Sequence, residues 1–291
     1  MIIACMPAYN VENTITQVIT ESLKYVDRVI VCDDGSTDMT YEKAISTGAT
    51  ILKHKKNMGK GKALQTLFDY CKKISFDALI TIDSDGQFLP HEIKSLVEPI
   101  LKENFDIVIG NRYSNLEQMP KYRKIGNKML DKITKMAAEL PFSDTQSGFR
   151  SYSKKAIDEI KFETNGFGVD SEILIDAFHK GMKISETNVT VIYNTGQNTS
   201  SQNPISHTMN VLTTIIEQIA IHHPLKFLGI PGLILIMVGI IFAGIAITNF
   251  SEFGNFSLPS VLISMSTLIF GLILLLISVV MYGLHFYQSK N

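Results

Sequence analysis

Short apolar runs punctuate the first part of the chain, at residues 2–6, 28–32, 50–53, 78–82 and 106–109. Each has the length of a buried strand. Between them, apolar positions recur at helical spacing, which predicts helices over 13–25, 39–47, 60–74 and 90–103. Strand–helix alternation of this kind predicts an α/β domain with a mainly parallel sheet covered by helices. Ligands of such sheets bind beyond the carboxyl ends of the strands. Polar, glycine-bearing segments follow these apolar runs directly.

The pattern then changes. Ile205, Met209, Leu212, Ile216 and Ile219 recur at helical spacing, with His207, Asn210, Thr214, Glu217 and Gln218 on the other face. This predicts an amphipathic helix over 205–226, lying in a membrane interface or packed on the preceding domain. Residues 227–250 and 258–284 contain no Asp, Glu, Lys or Arg. Each is long enough to span a bilayer, which needs roughly 20 apolar residues. The expected division is therefore an α/β domain at 1–204, an amphipathic helix at 205–226 and a two-helix anchor at 227–291.

Charge sharpens this picture. The net charge over 291 residues is -1, so no basic excess points to nucleic acid. After Phe227 only Glu252 and Lys290 carry a full charge. The loop at 251–257 has no Lys or Arg, while Lys226 and Lys290 flank the spans, so the positive-inside rule puts both termini in the cytoplasm. The N-terminus runs directly into Ile2-Ile3-Ala4-Cys5 without a basic leader, which agrees with a cytoplasmic catalytic domain. Three cysteines at metal-unlike spacing read as small buried hydrophobes.

The candidate chemistry sits at the strand ends. Pro7-Ala8-Tyr9-Asn10-Val11-Glu12 follows the first run, where Tyr9 suits stacking on a base and Glu12 a hydrogen bond to ribose or base. Asp33-Asp34-Gly35 follows the second; two adjacent acids repel and give a turn no benefit. Asn57-Met58-Gly59-Lys60-Gly61-Lys62 opens a helix, as an anion site or a solvated helix start. Asp83-Ser84-Asp85-Gly86-Gln87 follows the fourth. On an extended backbone Asp83, Asp85 and Gln87 share one side, and such hard oxygen ligands suit Mg²⁺ or Mn²⁺ with a diphosphate. Arg112, Arg123 and Asn127 come later, then Asp144-Thr145-Gln146-Ser147-Gly148-Phe149-Arg150, then Gly166-Phe167-Gly168-Val169-Asp170-Ser171-Glu172. Arginines suit bidentate phosphate contacts.

In this order the segments resemble family 2 inverting glycosyltransferases of the GT-A fold, and within them the dolichyl-phosphate mannose synthase type. The resemblance covers roughly residues 1–193. It implies that Pro7, Ala8, Tyr9, Glu12 and Asp34 bind the nucleoside, and that Asp83, Asp85 and Gln87 hold the metal and donor diphosphate. It implies that Arg112, Arg123 and Asn127 bind the lipid phosphate, and that Asp144 and Arg150 line the sugar and phosphate pocket. Asp85, Arg112, Arg123 and Asp144 form the implied catalytic set, with Asp170 or Glu172 at the later acidic position. Two departures from mannose synthases stand out: Gly86 replaces a frequent Leu, and residues 193–201 carry no basic residue. The combination looks more like archaeal enzymes that use UDP-sugars, such as UDP-N-acetylglucosamine, with GDP-mannose next.

The implied reaction is a single displacement at the anomeric carbon by an oxygen of a polyprenyl or dolichyl phosphate. That oxygen is already ionised at neutral pH and needs no protein base. Two alternatives stay open. One is transfer to a non-phosphate acceptor, with Asp144 or Asp170 as base; the other is an inactive membrane-anchored protein that binds nucleotide or lipid. A processive polysaccharide synthase is disfavoured, because the chain has no Trp for the Q-x-x-R-W motif.

Overall fold

The computed structural model describes residues 1–113, 141–162, 168–192, 224–254 and 257–288. They fall into two compact units, Met1–Ile215 and Ile216–Asn291.

The first unit is an α/β domain. Its strands are β1 (Ile2–Ala8), β2 (Arg28–Asp33), β3 (Thr50–Lys53), β4 (Ala78–Thr81), β5 (Ile107–Asn111), β6 (Arg150–Tyr152) and β7 (Ile184–Asn188). Its helices are α1 (Ile15–Ser22), α2 (Thr40–Ser46), α3 (Lys60–Cys71), α4 (Ile93–Glu103), α5 (Lys154–Glu159) and α6 (Val169–His179), with a 3₁₀ turn, Pro90–Glu92, ahead of α4. One seven-stranded sheet runs in the order β3-β2-β1-β4-β6-β5-β7. β1 pairs in parallel with β2 and β4, β2 with β3, and β5 with β7. β6 alone runs antiparallel, between β4 and β5.

Alternation within the strands sends side chains into two cores. Ile3, Cys5, Ile30, Cys32 and Leu79 pack with α3 and α6 residues such as Leu67, Phe68, Ile173 and Leu174. Ala4, Met6, Val29, Val31 and Ile80 pack with α1 and α4 residues such as Ile15, Ile19, Leu96 and Val97. A sheet covered on both faces needs continuous apolar runs, and these central strands supply them. Burying each such Ile or Leu contributes roughly 1.5–3 kcal/mol.

The predicted strands and helices before residue 110 are all present, with ends shifted by a few residues. Two strands and two helices beyond it, β6, β7, α5 and α6, were not foreseen from periodicity. The carboxyl ends of β1, β2, β4 and β5 share one edge of the sheet. Because β6 is antiparallel, its amino end joins them: Arg150 lies opposite both Thr81 and Ile109.

In the second unit, a π-helical turn, Leu225–Gly229, leads into α7 (Ile230–Phe253), and α8 (Leu258–Gln288) follows. Both are long and apolar enough to cross a membrane, and only 17% of each most apolar window is buried. α7 and α8 pack closely where side chains are small. A Cβ on Gly271 would meet Gly232 O at 2.7 Å, and one on Gly239 would meet Leu268 Cγ at 2.6 Å. Ser264 Oγ donates to Gly239 O at 2.9 Å. Small residues at a helix contact and a hydroxyl bonded across it are features of helix pairs in lipid. The predicted amphipathic stretch lies, from 205 to 223, outside the described residues.

Candidate active site

The turn after β4 is fastened before it carries any chemistry. Ser84 Oγ donates to Pro7 O at 2.7 Å, and Thr14 Oγ1 donates to Ser84 O at 2.7 Å. The turn is thus tied to the end of β1 and the start of α1. β4 ends at Thr81, and the chain turns at Ser84 and Asp85. Gly86 has φ +78, a left-handed value that suits glycine. Gln87 N–H donates to Asp85 Oδ1 at 3.0 Å, closing a local turn. The alternation argument for Asp83, Asp85 and Gln87 is thereby corrected. They sit on a turn rather than on extended strand, because β4 stops two residues before Asp83.

Asp83 faces a lysine. Lys60, at the first position of α3, places its Nζ 3.0 Å from Asp83 Oδ1 and 3.1 Å from Asp170 Oδ2. The ammonium is largely buried. Burial alone pulls its pKa down, but the charges of Asp170 and Asp83 outweigh it and hold the pKa above the ordinary lysine range. Gly148 makes the approach possible: a Cβ there would fall 2.5 Å from Asp83 Oδ2 and 2.7 Å from Lys60 Nζ.

Asp34, which the resemblance assigns to the nucleoside, also has partners within the protein. Its Oδ1 accepts from Met58 N–H at 2.9 Å, and its Oδ2 from Gly59 N–H at 2.7 Å. His54 Nδ1 lies 2.6 Å from Oδ1. A carboxylate only accepts, so Nδ1 carries the proton. The carboxylate thus holds the turn that delivers Lys60. Asp33 is fully buried, takes Ser36 N–H at 3.0 Å on Oδ1, and leaves Oδ2 without a hydrogen bond. Lys53 Nζ stands 3.8 Å from that oxygen. Beside them, Cys32 is a buried thiol whose pKa burial pushes up to about 12, with help from the Asp34 and Asp33 charges.

Around the first strand end, Tyr9 is half-buried and Ala8 buried, while Pro7 gives its carbonyl to Ser84. Glu12 Oε2 accepts from Met39 N–H at 3.2 Å, with Lys43 Nζ 3.9 Å away.

On the far side, Arg112 and Asp144 form a three-point contact. Arg112 Nε and Nη2 donate to Asp144 Oδ2 and Oδ1 at 2.7 and 2.8 Å, and Arg112 N–H donates to Oδ2 at 3.0 Å. Asp144 is fully buried. Glu186, on β7, accepts the N–H groups of Ser143 and Asp144 at 2.6 and 3.0 Å and sets this segment in place. Arg150 is fully buried too. It donates to Asp170 O at 2.6 Å and Thr145 O at 2.9 Å, and its Nε has no hydrogen-bond partner. Its guanidinium therefore clamps the 144–148 segment to the first turn of α6. Arg123 and Asn127 lie outside the described residues.

The structure thus brings Asp83, Lys60, Gly148 and Asp170 together, leaves Asp85 on the same turn as Asp83, and links Arg112 to Asp144. Glu186 and His54 had no signal in the sequence, since each is a single polar residue near a strand end. Among the described residues, no three His, Cys, Asp or Glu side chains converge as a metal cage. Two carboxylates on one turn are what Mg²⁺-type sites commonly offer, the other ligands being water and phosphate. The ammonium already seated on Asp83 shows that this carboxylate takes a cation.

Comparison with known proteins shows the family. Glycosyl transferase family 2 matches residues 3–161, and the chain belongs to that family. It is a glycosyltransferase with a GT-A-type domain. It is 30% identical, over 66% of its length and 86% of the relative's, to UDP-N-acetylglucosamine–dolichyl-phosphate N-acetylglucosaminyltransferase of Methanococcus voltae. It is 25% identical to glycosyltransferase AglJ of Haloferax volcanii, over 98% of this chain and 95% of that one. Among solved structures it resembles glucosyl-3-phosphoglycerate synthase from Mycobacterium tuberculosis in complex with Mn²⁺ and UDP-glucose. That match has a TM-score of 0.62 and 25% identity, over 76% of this chain and 79% of that one.

Proposed function

We propose that this protein transfers a sugar from a nucleotide-sugar to dolichyl or polyprenyl phosphate with inversion, at the cytoplasmic face of a membrane. A UDP-sugar is the favoured donor, UDP-N-acetylglucosamine first and GDP-mannose next. The relative from Methanococcus voltae supports both donor and acceptor. The two apolar helices support a lipid acceptor.

One observation carries the choice of acceptor. Before substrates bind, the two carboxylates that could serve as an acceptor-side base each face a cation: Asp144 on Arg112, and Asp170 on Lys60. A hydroxyl acceptor needs a base in the transition state, whereas an ionised phosphate does not. In the step, the bond from the anomeric carbon to the nucleotide's diphosphate oxygen breaks as the bond to the lipid-phosphate oxygen forms. The nucleoside diphosphate leaves with the electron pair.

Asp83, Asp85 and Gln87 would hold a Mg²⁺ or Mn²⁺ ion. Such a metal offsets charge on the departing diphosphate. Pro7, Ala8, Tyr9 and Glu12 border the nucleoside, and Asp34 supports it through the turn at 57–59. Arg112, oriented by Asp144, meets the lipid phosphate with Arg123 and Asn127. Arg150 acts through the backbone it clamps. Anchoring the domain at the bilayer brings both substrates together with less entropy to lose.

The test compares polyprenyl phosphate with the matching polyprenol, which lacks the phosphate. Sugar is expected to pass to the phosphate only. Equal transfer to the alcohol would contradict the acceptor assignment.

A further inference from the structure

Lys60 is not positioned as a simple phosphate-binding lysine. Its ammonium already bridges two carboxylates, Asp83 and Asp170, which come from different parts of the chain. Three features show that the bridge is built in. Asp34 takes the N–H groups of Met58 and Gly59 and so fixes the turn from which Lys60 projects. Gly148 leaves room for the pair, since a Cβ there would collide with both partners. Arg150 binds Asp170 O and so holds the first turn of α6.

A divalent ion on Asp83 would meet this ammonium on the same carboxylate. Metal–oxygen bonds are about 2.0–2.1 Å for Mg²⁺, so the two cations would be near neighbours in a partly desolvated site, where like charges repel strongly. A diphosphate arriving with the metal changes the balance. Its negative charge offsets the added positive charge and offers the ammonium a new partner. We propose that Lys60 is a resident competitor for the metal: it weakens binding of a bare divalent ion at Asp83 and makes tight metal binding conditional on the nucleotide diphosphate. This rests on the assignment of Asp83 and Asp85 to the metal.

The experiment measures Mn²⁺ binding to the detergent-solubilised full chain by electron paramagnetic resonance, with and without UDP. The wild-type protein should bind Mn²⁺ weakly alone and much more tightly with UDP. Lys60→Met should bind Mn²⁺ alone at least about tenfold more tightly than wild type, and gain less from UDP. Lys60→Gln should behave as Lys60→Met, and Lys60→Arg should stay close to wild type. Tighter binding is a gain that general structural damage does not produce. Unchanged or weaker Mn²⁺ affinity in both Lys60→Met and Lys60→Gln would overturn the proposal. Asp85→Asn separates it from the assignment beneath it. Loss of Mn²⁺ binding there is expected; unchanged binding would overturn the metal site itself.

Discussion

A methyl group at position 148 would fall 2.5 Å from Asp83 Oδ2 and displace the Asp83–Lys60 pair. Gly148→Ala should therefore act on catalysis more than on folding. A misplacement of about 1 Å can cost roughly 10²-fold in rate, and a loss of that order is expected in steady-state assays, with little change in melting temperature. A variant within about twofold of wild type would show that the site tolerates displacement of the Asp83–Lys60 pair. The Arg112–Asp144 pair predicts a loss of stability alongside any loss of activity. Removing one partner of a buried ion pair costs roughly 3–5 kcal/mol. Asp144→Ala should lie at the lower end, because Arg112 keeps 15% of its side chain in contact with solvent. Denaturant unfolding would measure it.

At the scale of elements, β6 decides how the site is assembled. Its three residues, Arg150, Ser151 and Tyr152, are polar or amphipathic, yet all are buried. Ser151 Oγ donates to Leu96 O at 2.5 Å, and Tyr152 packs edge-on against Phe68. No periodicity marks such a short strand, so the sequence reading saw a motif at 144–150 where the fold has a central strand. β7, Ile-Ser-Glu-Thr-Asn at the sheet edge, escaped for a related reason: its burial is only intermediate, and it needs no apolar run. The strands β1, β2 and β4 were legible because parallel strands buried on both faces must be apolar. The motif segments stood out in the sequence as polar stretches at strand ends. What the sequence did not reveal is their pairing, since Lys60 with Asp170 spans 110 residues. Arg150→Met would remove the charged-donor hydrogen bonds to Thr145 O and Asp170 O, at about 1.5–3 kcal/mol each. Thermal unfolding should show that loss, and activity should fall with it, because both segments it joins carry site residues.

For the whole molecule, α7 and α8 make a membrane location the expected one. Their apolar faces are exposed to an extent rarely seen in soluble proteins, with Ile247 and Leu276 at 68% and 65%. After expression, the full chain should remain in the membrane pellet through a wash in alkaline carbonate. Release into the supernatant would contradict insertion of the two helices. Under the proposed function the same helices set the reaction at the bilayer, where a tethered domain meets a lipid phosphate in two dimensions rather than three.

The central claim is sugar transfer to a lipid phosphate. Its most direct test incubates the purified protein with polyprenyl phosphate, Mg²⁺ or Mn²⁺, and radiolabelled UDP- and GDP-sugars in turn, and counts label extracted into organic solvent. Label from one donor, a UDP-sugar first, and its loss on adding EDTA is the predicted result. Release of nucleotide from a donor with no label in the lipid fraction would contradict the account and point to a water-soluble acceptor.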